Sequence, residues 1–138
     1  MISWKGLTEY QAKLRASARK LREKSKQDVE RWGRGVEAQA KANAPVDLGK
    51  LRQSISYEPT NGGMGAKVSV NVAYAAFIEF GTGAGVLVPP GWAEVAIKFK
   101  GTRGRRVTIS AHPYFVPAVK SETEKLKARL RYNLKTLL

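Results

Sequence analysis

Residues 73–83 read AYAAFIEFGTG, a run of aromatic and small residues that holds one carboxylate, Glu79, and stops at Gly-Thr-Gly. Two readings compete. Glu79 is either an acid beside a phosphate-cradling loop, or part of a turn in a protein that does no chemistry. A dinucleotide-type loop over Gly81-Thr82-Gly83-Ala84-Gly85 needs a third glycine at position 86 and a helix behind it. Val86 stands there, and Val86-Leu87-Val88-Pro89-Pro90 cannot open a helix. No Gly-Lys-Ser/Thr tripeptide occurs either. The stretch therefore reads as a short segment closed by a glycine turn.

Outward from it, the order is helix, hairpin, hairpin, helix. Thr8 with Gln11 three residues on has the form of a capping box. From there to about Asn43, Leu7, Tyr10, Leu14, Leu21, Val29, Trp32 and Val36 keep one apolar stripe. Some 34 helical residues at ~1.5 Å each span roughly 50 Å. A domain of this length has a diameter of only about 37 Å. An unbroken helix would overhang its own body as an arm for a neighbouring subunit. The stretch Arg22–Asp28 has no apolar residue, which leaves a helix broken there equally open. Gly33 and Gly35 predict a bend or fraying, and Ala44-Pro45 ends the helix.

Val46 to Gln53 reads as a turn into a short helix. Ser54–Glu58 and Ala66–Val72 alternate as paired strands across the turn-forming Pro59-Thr60-Asn61-Gly62-Gly63-Met64-Gly65. A second hairpin is expected where Val95, Ile97 and Phe99 alternate with Ala96, Lys98 and Lys100, turn at Gly101–Gly104, and return through Val107 and Ile109. Pro113 opens a last helix with Val119, Leu126, Leu130, Leu134 and Leu137 on its apolar face. The expected fold is α+β: a long N-terminal helix, a small antiparallel sheet of about four strands in two hairpins, and a C-terminal helix. It forms a single domain over 1–138, divided into 1–43 (long helix), 44–112 (sheet with an extended loop or hairpin at 83–111) and 113–138 (C-terminal helix).

The 138 residues include no cysteine and one histidine, His112. No apolar run approaches the ~20 residues of a membrane span, and MISWKGLTEY lacks the form of a secretory signal. Nucleophilic triads lack a base other than His112, which sits before Pro113 at a corner. An HExxH motif is absent. Paired carboxylates would require Glu79 and Asp47 to meet, and nothing marks a cleft around them. No catalytic, metal-binding or cofactor-binding constellation is present, so no enzyme is expected.

Charge is the outlier, with 25 Lys+Arg against 11 Asp+Glu and a net +14. Such a balance points to a polyanion, most often nucleic acid. Residues 1–43 carry +6, 101–110 carry +3 and 111–138 carry +4. The charge thus lies on two ends and one loop rather than in one patch. Lys98, Lys100, Arg103, Arg105 and Arg106, around a hairpin tip, are candidates for DNA-phosphate contact. A solvated tip kept charged against edge-to-edge pairing is equally open. Helix-turn-helix and zinc-finger spacings are absent, so sequence-specific readout is not expected.

Three segments stand in order: Ala44-Pro45-Val46-Asp47-Leu48-Gly49-Lys50-Leu51-Arg52-Gln53-Ser54-Ile55, Tyr74-Ala75-Ala76-Phe77-Ile78-Glu79-Phe80-Gly81-Thr82, and His112-Pro113-Tyr114-Phe115-Val116-Pro117-Ala118. Together they resemble the neck, tail-completion or head–tail joining proteins of long-tailed bacteriophages, often described as minor tail proteins. In that family segments of the form APxDTGxLRxSI, YAxxxExGT and PFxxPA recur in this order. Here Leu48 replaces the usual threonine, and Tyr114 stands before Phe115.

The resemblance implies a non-enzymatic virion protein at the head–tail junction, without cofactors. It would assemble with other neck and tail proteins in the host bacterial cytoplasm, as a ring, hexameric by family expectation, around the channel through which DNA passes. Pro45, Asp47, Gly49, Leu51, Arg52, Ser54, Tyr74, Glu79, Gly81, Thr82, Pro113, Phe115 and Pro117 are the motif positions it marks. Glu79 is then expected to hydrogen-bond locally or to pair with Arg52 or another arginine. The alternatives are a tail terminator within the phage reading, and a free-standing basic nucleic-acid-binding protein outside it.

Overall fold

A computed structural model of the chain describes residues 5–82, 90–92 and 110–137. Helix α1, Lys5–Asn43, is one unbroken helix of 39 residues, about 58 Å long. Thr8 lies inside it rather than at its N-cap, so the capping-box reading is corrected. The polar stretch at 22–28 does not break the helix, because its inward position is satisfied by a hydrogen bond instead of apolar packing. Asp28 is buried and its Oδ2 accepts from Asn133 Nδ2 at 2.5 Å.

Helix α2, Gly49–Ser54, follows the Pro45 turn, and strand β1 takes over at Ile55–Thr60. The turn at Asn61–Gly63 runs through positive φ at all three residues, which two glycines and an asparagine accept at low cost. Strand β2, Gly65–Val70, returns antiparallel with Ile55 opposite Val70, Tyr57 opposite Val68 and Pro59 opposite Ala66. The strands run closer to the turn than the sequence implies, since Pro59 and Thr60 belong to the ladder. Among the described residues the sheet has two strands, not four. The second expected hairpin, at 95–109, lies outside the described residues. Helix α3, Ala75–Phe80, occupies what the sequence reads only as a short segment before a glycine.

Helix α4, Phe115–Leu137, begins two residues later than Pro113. It runs antiparallel to α1: Tyr114 lies beside Asn43, Trp32 Nε1 donates to Thr123 Oγ1 at 3.1 Å, and Asp28 meets Asn133. The inward face of α4 keeps Val119, Leu126, Leu130 and Leu137 of the expected row half-buried and departs from it at Leu134. Glu122 and Asn133 are buried in the seam, whereas Leu134 is 47% exposed. Glu122 keeps its charge compensated by Lys125 Nζ at 2.7 Å.

The core sits where α1, α2, the sheet and the start of α4 meet. Val36, Ala40, Ala44, Leu51, Ile55, Tyr114 and Ala118 are buried together, with Trp32, Val68, Val70 and Val119 packed around them. Gly33 and Gly35 do not interrupt α1. They let other groups approach it: a Cβ at Gly33 would collide with the Tyr57 ring, and one at Gly35 with the Glu122 carboxylate. Tertiary packing sets these positions, not helix propensity.

Candidate functional site

The three sequence segments converge at the end of the molecule where α1 stops and α4 starts. Helix α4 begins with an accounting problem, because the first four N–H groups of any helix lack an intrahelical acceptor. Glu79, projecting from α3, resolves it. Its Oε2 accepts from Tyr114 N and Phe115 N, each at 2.8 Å, and its Oε1 accepts from Val116 N at 3.0 Å. The fourth position is Pro117, which has no N–H to satisfy. A carboxylate at this end also complements the positive pole of the helix dipole. Both oxygens of Glu79 are thereby engaged, and the residue is buried.

Arg52 does the converse job for α1. Its Nε and Nη2 donate to the Ala44 carbonyl at 3.2 and 2.8 Å, closing the C-terminal end with a cation. Of the two expectations for Glu79, hydrogen bonding is present and the pair with Arg52 is not: each residue terminates a different helix. A buried carboxylate needs compensation, and three backbone N–H groups supply it without a guanidinium.

Around these caps the remaining motif residues fall into place. Leu51 is fully buried, Ser54 Oγ donates to Leu51 O at 2.7 Å, and Tyr74 packs against the core. Gly81 takes φ +70° as its N–H bonds to Phe77 O at 2.9 Å, a conformation that favours glycine. Phe115 meets Trp92 edge-on, with ring centroids 6.2 Å apart. Pro45 and Thr82 are half-buried, while Asp47, Gly49, Pro113 and Pro117 are exposed. His112 joins the junction through its backbone, donating to Ile78 O at 2.8 Å, and its Nε2 lies 3.3 Å from Asn43 O. Tyr114 is the central anchor: its ring is buried and its hydroxyl donates to Ala75 O at 3.4 Å. Burial first, and the Glu79 charge second, push the Tyr114 phenol well above its ordinary range.

The arrangement connects α1, α3 and α4 at one end of the core. Among the described residues no group of three or more His, Cys, Asp or Glu side chains could hold a metal ion. Asp47 is exposed while Glu79 is buried and saturated, so the two do not form a working carboxylate pair. Lys98, Lys100, Arg103, Arg105 and Arg106 lie outside the described residues.

Sequence reasoning missed the role of Glu79 as a helix cap and the close approaches at Gly33 and Gly35. It also missed where the charge goes. The antiparallel course of α1 and α4 carries both basic ends to the same pole, opposite the motif junction. Residues 5–24 and 125–137 each carry +5 of the net +14.

A family model described as "Bacteriophage HK97-gp10, putative tail-component" matches residues 8–81. That span takes in α1 from Thr8 on, α2, the sheet, α3, the first motif segment and the second up to Gly81, and it stops short of the helix that Glu79 caps. No curated protein and no solved structure matches the chain.

Proposed function

Because the chain belongs to the HK97-gp10-like family of bacteriophage tail components, we propose that this structural protein completes the tail at its junction with the head. In that role it assembles in the host cytoplasm as a ring of copies, six by family expectation, around the channel through which DNA leaves. Its contacts there are with other neck and tail proteins, and with DNA without regard to sequence.

The observation that carries this reading is the overhang of α1. Asn133 of α4 lies level with Asp28, so Leu137 ends near Lys24. Every residue from Lys5 to Ala16 is exposed, yet the apolar stripe continues through Leu7, Tyr10 and Leu14. An extended helix with one uncovered apolar stripe suits packing between subunits. The family span begins within this arm, at residue 8.

Electron microscopy of lysates from a phage with a nonsense mutation in this gene tests the proposal. Filled heads accompanied by separate or defective tails are expected. Tails of uncontrolled length would favour a tail terminator. Normal infectious particles would remove the junction role and leave a free-standing nucleic-acid-binding protein.

A further inference from the structure

We propose that the basic pole formed by the α1 arm and the end of α4 is a binding surface for the phosphate backbone of duplex DNA. Two observations support it independently: the concentration of charge, and the scarcity of internal partners for it, since of the cations in 5–24 and 125–137 only Lys125 and Lys127 are ion-paired among the described residues. Within α1 three of the four cations nearer the body are paired among the described residues, Lys26 with Glu23, Arg34 with Glu30 and Lys41 with Glu37, and Arg31 is not. On the arm, Arg15, Arg19 and Arg22 share one face at i, i+4 and i+7 and are exposed. None of the three has a carboxylate within ion-pairing distance among the described residues. On α4, Lys127, Arg131 and Lys135 form a second exposed row at i, i+4 and i+8, and only Lys127 has an acidic partner, Glu124.

The spacing suits a uniform polyanion. Successive members of each row are about 4.5–6 Å apart along the helix axis, and duplex DNA offers a phosphate every ~3.4 Å along each strand. Guanidinium forks match phosphate oxygens. The face bearing the three arginines carries no large apolar side chain, because Leu7, Tyr10, Leu14 and Leu21 lie on another side of α1. An acidic protein partner would more naturally combine charge with apolar anchors on one face. Nothing on this pole is shaped to read base edges, so recognition is of charge and not of sequence.

The proposal rests on DNA as a neighbour of the molecule, but not on the place of the protein in the particle. The test is a fluorescence-anisotropy titration of the full chain against a labelled duplex of arbitrary sequence, about one to two turns long, at several salt concentrations. Binding is expected to weaken steeply with salt, losing about 0.9 in log–log slope per phosphate contact removed. R15Q/R19Q/R22Q and K127Q/R131Q/K135Q are each expected to weaken binding on the order of tenfold or more and to reduce the slope by roughly 2–3. Circular dichroism of the variants separates loss of binding from loss of helix.

Three outcomes would overturn the assignment. One is the absence of salt-dependent binding. A second is wild-type binding by both helix variants with loss in R103Q/R105Q/R106Q. The third is displacement of the protein from DNA by poly-glutamate as effectively as by unlabelled DNA, which points to an acidic protein. Presence in virions without DNA binding would defeat this surface and leave the junction role standing. DNA binding by a chain dispensable for particles would do the reverse.

Discussion

The Glu79 carboxylate and the Tyr114 backbone N–H, 35 residues apart, are joined by a buried hydrogen bond of 2.8 Å, and the next two N–H groups share the same carboxylate. One side chain thus fixes where α4 starts and ties it to α3.

Replacing Glu79 with Ala leaves three N–H groups at a buried helix end without an acceptor. Hydrogen bonds to charged groups are worth about 1.5–3 kcal/mol each and do not add. Glu79→Ala is expected to destabilise by about 3–5 kcal/mol, and Glu79→Gln by about 1–2 kcal/mol, since the amide oxygen still accepts. Chemical denaturation of the purified variants checks this. Equal midpoints for Glu79→Ala and the wild type would exclude the cap as a stabilising contact.

Arg52 offers a milder version of the same experiment at the end of α1. Its two donors to Ala44 O depend on the planar guanidinium, which lysine lacks. Arg52→Lys is expected to cost on the order of 1 kcal/mol. Because Arg52 and Glu79 cap different helices, their effects should add within about 0.5 kcal/mol. A large coupling energy in a double-mutant cycle would mean that the two residues communicate directly after all.

The sequence reveals the period-based features and hides those made by backbone partners. The α1 stripe, the short α2 and the alternation of Ile55 and Tyr57 against Val68 and Val70 follow from local patterning, and each is present. The partners of Glu79 are not legible, because backbone N–H groups carry no side-chain signature and a buried acid invites a search for a base. Pro117 was the available clue: a proline inside a first helical turn leaves fewer N–H groups to cap. Leu134 was misplaced because the inward position at that level is taken by Asn133, bonded to Asp28, whereas Val119, Leu126, Leu130 and Leu137 of the same row are half-buried as the periodicity implies. The common pole of the charge depended on α1 and α4 running antiparallel, which no local pattern states.

Gly33 tests whether tertiary contact outweighs helix propensity. In an open helix, Gly→Ala gains about 1 kcal/mol. Here the new methyl would overlap the Tyr57 ring and lie 3.3 Å from Ala66 Cβ. Gly33→Ala is expected to destabilise by about 1–3 kcal/mol. In a Tyr57→Ala background the same change should be neutral or stabilising. Thermal or denaturant unfolding of the four variants gives the answer, and a cost unchanged by Tyr57→Ala would locate the strain elsewhere.

Tyr114 predicts a loss of stability in alkali. Its phenol binds a proton more tightly in the folded state, through burial and the nearby Glu79 charge, than at its ordinary value of about 10. Its contribution is therefore complete below about pH 10 and is lost as pH rises above it. The wild type is expected to lose up to about 1.4 kcal/mol per pH unit more than Tyr114→Phe above this point. Parallel stability curves for the two proteins between pH 9 and 12 would show that the phenol ionises freely in the fold.

The arm separates folding from assembly. Tyr10 is 63% exposed and Leu14 is 50% exposed, whereas Leu51 is wholly buried. Exposed positions away from caps and cores change stability by less than about 0.5 kcal/mol, while a buried leucine truncated to alanine costs about 2–5 kcal/mol. Tyr10→Ser with Leu14→Ser should leave the unfolding midpoint of the isolated chain unchanged. If the stripe is covered by a neighbouring subunit, the same variant fails to complement a phage lacking this gene and is depleted from purified particles. Leu51→Ala fails in both assays, through folding. Full complementation by the arm variant would show that Leu7, Tyr10 and Leu14 face solvent in the particle as they do in the single chain.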